Sequence, residues 1–301
     1  MSRSAEHADV LARLVESARR RVGTAPGGLG GDDPDLLEAF LGRYLAESDP
    51  DELASRSTDD LLGVALTHWH LGRVRAPGNT IVRVVSPDRE TDGWGSEHSV
   101  LLVVSDDAPF LVDTVRMALD RVGVATHLMV HPMLAVKRDA DHAVVDVPTH
   151  GGRVEAWTMI EIDRCPSALA DRVVDEVTSS IADAHLAVSD FDAMRGRMVE
   201  LAQDLEKLPP DGVPPEIVEA VVKMLGWLTR RHFVFLGAAS YDQAEDGSLV
   251  VLEGSQLGLL TRSAAAVDPP PMSHQHLLAV SRADGTVHVH RPARPTCIAV
   301  R

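Results

Sequence analysis

The chain has 301 residues, with 29 Lys plus Arg against 45 Asp plus Glu and a formal net charge of −16 at pH 7. Such acidity argues against nucleic acid and anionic membrane as main partners, because both would be repelled. The length accommodates about two domains of ~100–200 residues, and 45% apolar with 25% charged residues is enough for real cores in an ordinary globular protein.

Residues 1–75 read as a helical segment. Val10, Leu11, Leu14, Val15 and Ala18 recur at helical spacing, and Gly27, Gly28, Gly30 and Gly31 then break the pattern. Asp33 is placed as an N-cap with Pro34 at the first helical position. Leu36, Leu37, Phe40, Leu41, Tyr44 and Leu45 form one apolar stripe. Ser57 and Asp60 resemble a capping box ahead of Leu61, Leu62, Ala65, Leu66 and Trp69.

The period changes to two after the turn cluster at 75–79. Ile81, Arg83 and Val85 alternate with Thr80, Val82 and Val84, as in a strand. A polar loop at 87–97 leads to a buried strand over 99–104. Pro109 then opens a helix that ends at Gly123, a C-cap. Strand-like runs follow at 124–136 and 154–162, separated by a polar loop at 139–153. A second helix spans 166–184, and a short closing strand is expected at 187–189. Strand, helix, strand, strand, helix, strand is the ferredoxin-like βαββαβ arrangement, one antiparallel sheet with two helices on one face.

A helix over 191–205 leads to a stretch at 208–215 with four prolines and a glycine, the strongest domain boundary in the chain. A helix at 216–229 follows. Strands are then expected at 232–241, 248–253, 277–282, 286–290 and 297–300, forming an antiparallel α+β sheet. Asp246-Gly247 and Asp284-Gly285 are hairpin signals. The sequence stops at Ile298-Ala299-Val300-Arg301, on an apolar strand with no visible partner, which points to truncation.

No strong catalytic signature is present: no dinucleotide or phosphate loop, no His-Glu-x-x-His, no nucleophile elbow. Two cysteines, Cys165 and Cys297, exclude a disulfide-rich scaffold and a four-cysteine zinc module. Cys165 before Pro166 reads as inert, and Cys297 as core. His68/His70, His274/His276 and His288/His290 are His-x-His pairs, which on a strand put both rings on one face. Only His288/His290 falls on an expected strand, no third ligand is evident, and surface histidines are the simpler reading. Asp106, Asp107 and Asp113 cluster at one turn, where they suit an N-cap and a helix dipole better than acid–base work. The first nine residues lack the apolar stretch of a signal peptide, and no apolar run approaches the ~20 residues of a membrane span. A cytoplasmic protein is the expectation.

Several phrases occur together. Asp106-Asp107-Ala108-Pro109-Phe110-Leu111-Val112-Asp113-Thr114-Val115 resembles the hallmark run of the large NAD-specific glutamate dehydrogenases of bacteria. Arg75-Ala76-Pro77-Gly78, Ser86-Pro87 and Gly93-Trp94 resemble its lead-in, and His131-Pro132-Met133-Leu134-Ala135-Val136 its next phrase. His232-Phe233-Val234-Phe235-Leu236-Gly237, Leu257-Gly258-Leu259-Leu260 and Val289-His290-Arg291-Pro292 match later ones in order. The resemblance implies the N-terminal regulatory part of a much longer enzyme, with ACT-like and PAS-like domains and the NAD-dependent catalytic domain elsewhere. The expected divisions are a helical segment at 1–75, an ACT-like domain at 76–190, a helix and Pro-rich linker at 191–215, and a truncated PAS-like or connecting α+β segment at 216–301.

By this resemblance the parent enzyme uses NAD, and the segment itself is expected to bind no NAD or metal and to hold no catalytic residue. Its expected partners are other subunits and an amino-acid effector. The effector turn would be Asp106, Asp107, Pro109, Phe110 and Asp113. Amino-acid-binding ACT domains have Asp-x-Pro-Gly there, and Phe110 stands in the Gly position, where its bulk would occlude the site. The only lysines, Lys137, Lys207 and Lys223, lack a glycine-rich pocket context, so the lysine-assisted chemistry of the enzyme has no candidate here. Two other readings stand beside this one: a stand-alone ACT/PAS-like small-molecule sensor, and a metal-dependent enzyme using the His-x-His pairs.

Overall fold

The computed structural model describes residues 12–13, 15–17, 33–46, 56–230, 233–244, 248–262, 270, 272 and 276–301. Val10, Leu11, Leu14 and Ala18 of the expected first helix, the Gly-rich run at 27–31, His232, the Asp246-Gly247 turn and His274 lie outside the described residues, while Val15 of that helix is described and helical. By internal contacts the chain divides into two units. One comprises Met1–Asp107 and Ala118–Ser179; the other comprises Ala108–Met117 and Ser180–Arg301.

The first unit is built on one antiparallel sheet. Its strands are β1 (Ile81–Val85), β2 (Ser99–Asp106), β3 (Thr126–Val130), β4 (Met133–Arg138), β5 (Val144–Asp146) and β6 (Arg153–Ile162). The order is β1-β2-β6-β4-β5, with β3 also on β6. The expected run at 124–136 is thus two strands laid end to end along β6, since Met133–Val136 pair with its first half and β3 with its second. The break falls at His131-Pro132, because proline has no N–H to give the ladder. The Pro132 carbonyl still accepts from the Trp157 N–H at 3.0 Å. Strand β5 lies inside the loop expected to be irregular.

Helix α1 (Pro34–Tyr44) starts as its sequence indicates, with the Asp33 side chain accepting from the Asp35 N–H. Ser57 caps α2 (Thr58–Gly72) in the same way through the Asp60 N–H. A short α3 (Arg89–Asp92) follows β1, and α4 (Leu111–Val122) follows β2. Gly123 terminates α4 at φ +80°. Helix α5 runs over Ser167–Ser189, so the closing strand expected at 187–189 does not exist. Ile181, Ala184 and Ala187 keep the helical spacing and are all buried, and nothing in that stretch alternates with period two. The sheet position beside β2 is taken instead by β1, from upstream. With β3 and β4 counted as one interrupted strand and the short α3 and β5 set aside, the arrangement is ββαββα around an ACT-like sheet, not βαββαβ.

Helices α1 and α2 do not stand apart from this sheet. Phe40, Tyr44 and Trp69 share one core with Val100, Leu102 and Val104 of β2 and with Trp157 and Met159 of β6. The alternate residues Leu101, Val103, Ile160 and Ile162 are also fully buried. Burial of β2 on both faces explains why Val100 to Val104 read as an unbroken apolar run. Close approach is enforced by two helical glycines. A Cβ at Gly63 would lie 2.2 Å from the Trp94 ring, and one at Gly72 would lie 2.4 Å from the Trp157 ring.

His68 is fully buried in this core. Its Nε2 lies 3.2 Å from the Val103 carbonyl, which can only accept, so Nε2 carries the proton. Nδ1 then accepts from the Tyr44 hydroxyl at 2.7 Å. Burial pushes the His68 pKa down to about 3, against a smaller upward effect of the Val103 carbonyl. Between pH 6.5 and about 3 the unfolded chain binds a proton at His68 that the folded chain refuses, so folding stability falls as pH drops through that window. The slope from this one group is up to ~1.4 kcal/mol per pH unit. His68→Gln should flatten the pH dependence of urea unfolding between pH 6 and about 4 by that amount; an unchanged slope would contradict the buried neutral imidazole.

In the second unit α6 (Phe191–Lys207) and α7 (Pro215–Leu228) form a hairpin. Leu205, Val218, Val221, Leu225 and Leu277 share one core, so the Pro-rich stretch is the hairpin loop between two helices that pack together. The strands come in pairs: β7 (Gly237–Ala238) with β10 (Leu257–Gly258), β8 (Tyr241–Gln243) with β9 (Leu249–Val251), and β11 (Leu278–Arg282) with β12 (Thr296–Val300). Among the described residues they do not join into the single sheet expected. The terminal strand does have a partner, since Ile298 sits opposite Val280. Gly258, at φ +60°, is required where it stands, because a Cβ there would meet the Leu236 carbonyl at 2.4 Å.

Candidate functional site

The structure splits the candidate effector turn into two settings. Asp106 ends β2 and faces the first unit. Its carboxylate accepts from Arg75 at 2.7 Å, from Arg153 at 2.6 Å and from the Gly78 N–H at 3.1 Å. It is therefore not the N-cap of α4. Burial alone would push its pKa up, but the hydrogen bond and charge of Arg75, with Arg153 and Gly78, outweigh that and hold it below the usual carboxylate range.

Arg75 reaches on from Asp106 to Glu155, 2.6 Å away, and the side chains of Arg75 and Glu155 are both fully buried. Glu155 also takes a two-pronged contact from Arg138, Nε to Oε1 at 2.8 Å and a terminal nitrogen to Oε2 at 2.8 Å. Arg138 donates further to the carbonyls of Gly72 and His142. Burial pushes the Glu155 carboxyl up, yet its bonds to Arg138 and Arg75 bring the balance below the usual range. Three guanidinium groups and two carboxylates thus tie β2, β4 and β6 to the segment before β1. Sequence reasoning missed this network. Its one signal was Glu155 itself, a carboxylate next to the apolar run of β6.

The rest of the turn is different. Asp107 and Pro109 are exposed, and α4 begins at Leu111, two residues later than expected. Asp113 is exposed in the first turn of α4, where its charge suits the helix dipole. Phe110 holds left-handed backbone at φ +69°. Its ring contacts His290, with centroids 4.4 Å apart, and His290 Nδ1 lies 3.9 Å from the Asp113 carboxylate.

His288 and His290 are not on a strand. The strand expected at 286–290 reduces to a single bridge, Val287 to Ala293, and His290 sits at φ +66° in a tight loop, so the one-face argument for a metal fails there. His98 and His127 do stack, centroids 3.9 Å apart, and His127 bonds Asp163 at 2.8 Å. Among the described residues, no three His, Cys, Asp or Glu come together as a metal site. Lys137 and Lys223 make exposed ion pairs with Asp146 and Glu219. No helix among the described residues is long and apolar enough to cross a membrane.

With that geometry in place, residues 40–177 match the family model described as glutamate dehydrogenase, ACT1 domain. Residues 40–177 are thus similar to the glutamate dehydrogenase ACT1 domain. The whole chain is similar to proteins named NAD-specific glutamate dehydrogenase. It is 30% identical to the one of Halomonas elongata over 97% of this chain and 19% of that protein. It is 32% identical to the Pseudomonas aeruginosa protein over 87% of this chain and 17% of that one. The Mycobacterium tuberculosis protein is 27% identical over 90% of this chain and 17% of its own length. The chain therefore spans about a fifth of the curated relatives it matches. The ACT1 match begins at Phe40, inside α1, so the end of α1 and all of α2 and β1 fall inside the matched region with the sheet they cover and complete.

Proposed function

We propose that residues 1–301 are a regulatory and oligomerisation segment of a large cytoplasmic NAD-dependent glutamate dehydrogenase. The parent would convert L-glutamate, NAD⁺ and water to 2-oxoglutarate, ammonia and NADH, with NAD bound outside this segment. One observation carries the reading: nearly the whole chain matches about a fifth of each dehydrogenase, around an ACT1 domain. The residues from 216 onward would be the start of a PAS-like or connecting region. The segment would act by contacts with other subunits that bias the catalytic domain's conformational equilibrium.

The sheet faces are poor docking surfaces for those contacts, because residues on both sides of β2 and β6 are buried. Helix surfaces and strand edges remain. An amino-acid effector is the less supported partner, since Phe110 fills the turn at the position of the expected glycine. The purified chain, assayed with glutamate and NAD⁺ at 340 nm, should form no NADH above the buffer rate. Glutamate-dependent NADH formation by residues 1–301 would overturn the assignment.

A further inference from the structure

Two residues of the second unit that are not glycine hold left-handed backbone, and they touch each other: Phe110 at φ +69° and His290 at φ +66°, ring centroids 4.4 Å apart. Each sits at the tip of a tight turn. The Phe110 carbonyl accepts from the Thr114 N–H at 2.9 Å and so starts α4. His290 is the centre of a three-residue turn in which the Arg291 N–H donates to the Val289 carbonyl at 2.8 Å. Below it, Val287 and Ala293 exchange two backbone bonds of 2.9 and 3.1 Å, closing the loop. Val289 is buried with Ala184 and Ala187, which anchors the loop beside its tip, and His290 at the tip reaches Phe110 and Asp113.

A γ-turn with positive φ at its centre is rare and strained. A bulky aromatic residue in the left-handed region is likewise an outlier that persists only where its surroundings hold it. Here the partner of each strained tip is the other strained tip. We propose that Phe110 and His290 form a releasable clasp between the β2–α4 turn and the 287–293 loop. Loss of either ring frees the opposite turn to relax, and any molecule that reaches the turn must first displace His290. This clasp does not depend on which enzyme the segment serves.

Hydrogen exchange on the 301-residue chain tests it. Phe110→Gly accepts the left-handed turn without strain, so its own segment stays formed. It should still speed exchange of the amides at 287–293 about tenfold, as local opening becomes easier. His290→Gly should do the same for the amides at 111–114. The double variant should exchange no faster at either segment than the more affected single one, because one contact is lost either way. Phe110→Tyr keeps the ring and should leave both segments at the parent rate. If a glycine variant fails to fold, Phe110→Leu, which keeps bulk without the ring, should release the loop equally. Changes confined to the substituted segment, or effects that multiply in the double variant, would overturn the clasp.

Discussion

Replacing Glu155 with alanine should lower the unfolding free energy by about 3–5 kcal/mol, the usual cost of removing one partner from a buried ion pair. Glu155 is fully buried between Arg75 and Arg138, and Arg75 has no side-chain exposure of its own. Deleting the carboxylate leaves two guanidinium groups facing each other with the bonds they gave Glu155 unmade. The Nε of Arg75 is buried and already lacks a partner, so the site has little slack to re-pair. Urea unfolding followed by tryptophan emission reads this well, because Trp69, Trp94 and Trp157 are buried in the first unit. Glu155→Gln keeps the shape and some bonds and should fall between parent and alanine variant. A loss below about 1 kcal/mol would make the network dispensable. Acid gives an independent check. The folded pKa of Glu155 lies below its unfolded value, so its contribution is present above the unfolded pKa and is lost as pH falls through the folded one. That acid-side loss should vanish in Glu155→Gln.

Trp157→Ala carries the second large effect, about 3–5 kcal/mol by the usual cost of truncating a buried Trp. Its ring is fully buried and lies 5.1 Å from Phe40, 5.2 Å from His68 and 6.5 Å from Trp69, centroid to centroid. Helix α2 is shaped to it, since Gly72 leaves the space its ring edge fills. Truncation therefore opens a void at the junction of α1, α2 and the sheet. Equilibrium unfolding should show the loss, and near-ultraviolet circular dichroism should show the aromatic cluster disordered. Trp157→Phe should cost clearly less, because a smaller aromatic ring still reaches Phe40. Equal stability of Trp157→Ala and the parent would show that the helices do not depend on the sheet for their place.

The local signals were legible wherever chemistry acts within a few residues. Asp33 and Ser57 cap α1 and α2 through their own next-turn amides, and Gly123 ends α4 with the positive φ only its lack of a Cβ makes easy. The misreadings were non-local. Residues 187–189 looked free to form a strand, but an edge beside β2 is won by whichever segment can reach it, and β1 does so by a short hairpin-like return from upstream. The sheet expected after the hairpin of α6 and α7 depended on pairings between distant short strands, and among the described residues they close only in twos.

The candidate site divides along the same line. The phrase from Asp106 to Val115 was visible as a unit in the sequence, and its match to the ACT1 domain stands. That Asp106 would turn away to Arg75 and Arg153, while Phe110 and Asp113 would meet His290, could not be read there, because the partners lie far off in the chain. The sequence by itself determined the capped starts of α1 and α2, the apolar strands, the acidic charge and the dehydrogenase likeness, all of which rest on residue type and short spacing. Tertiary structure alone decided which strand completes the sheet, that α1 and α2 cover its second face, and that a buried Glu155 is tolerated, since each depends on long-range contacts that satisfy a surface, an edge or a charge.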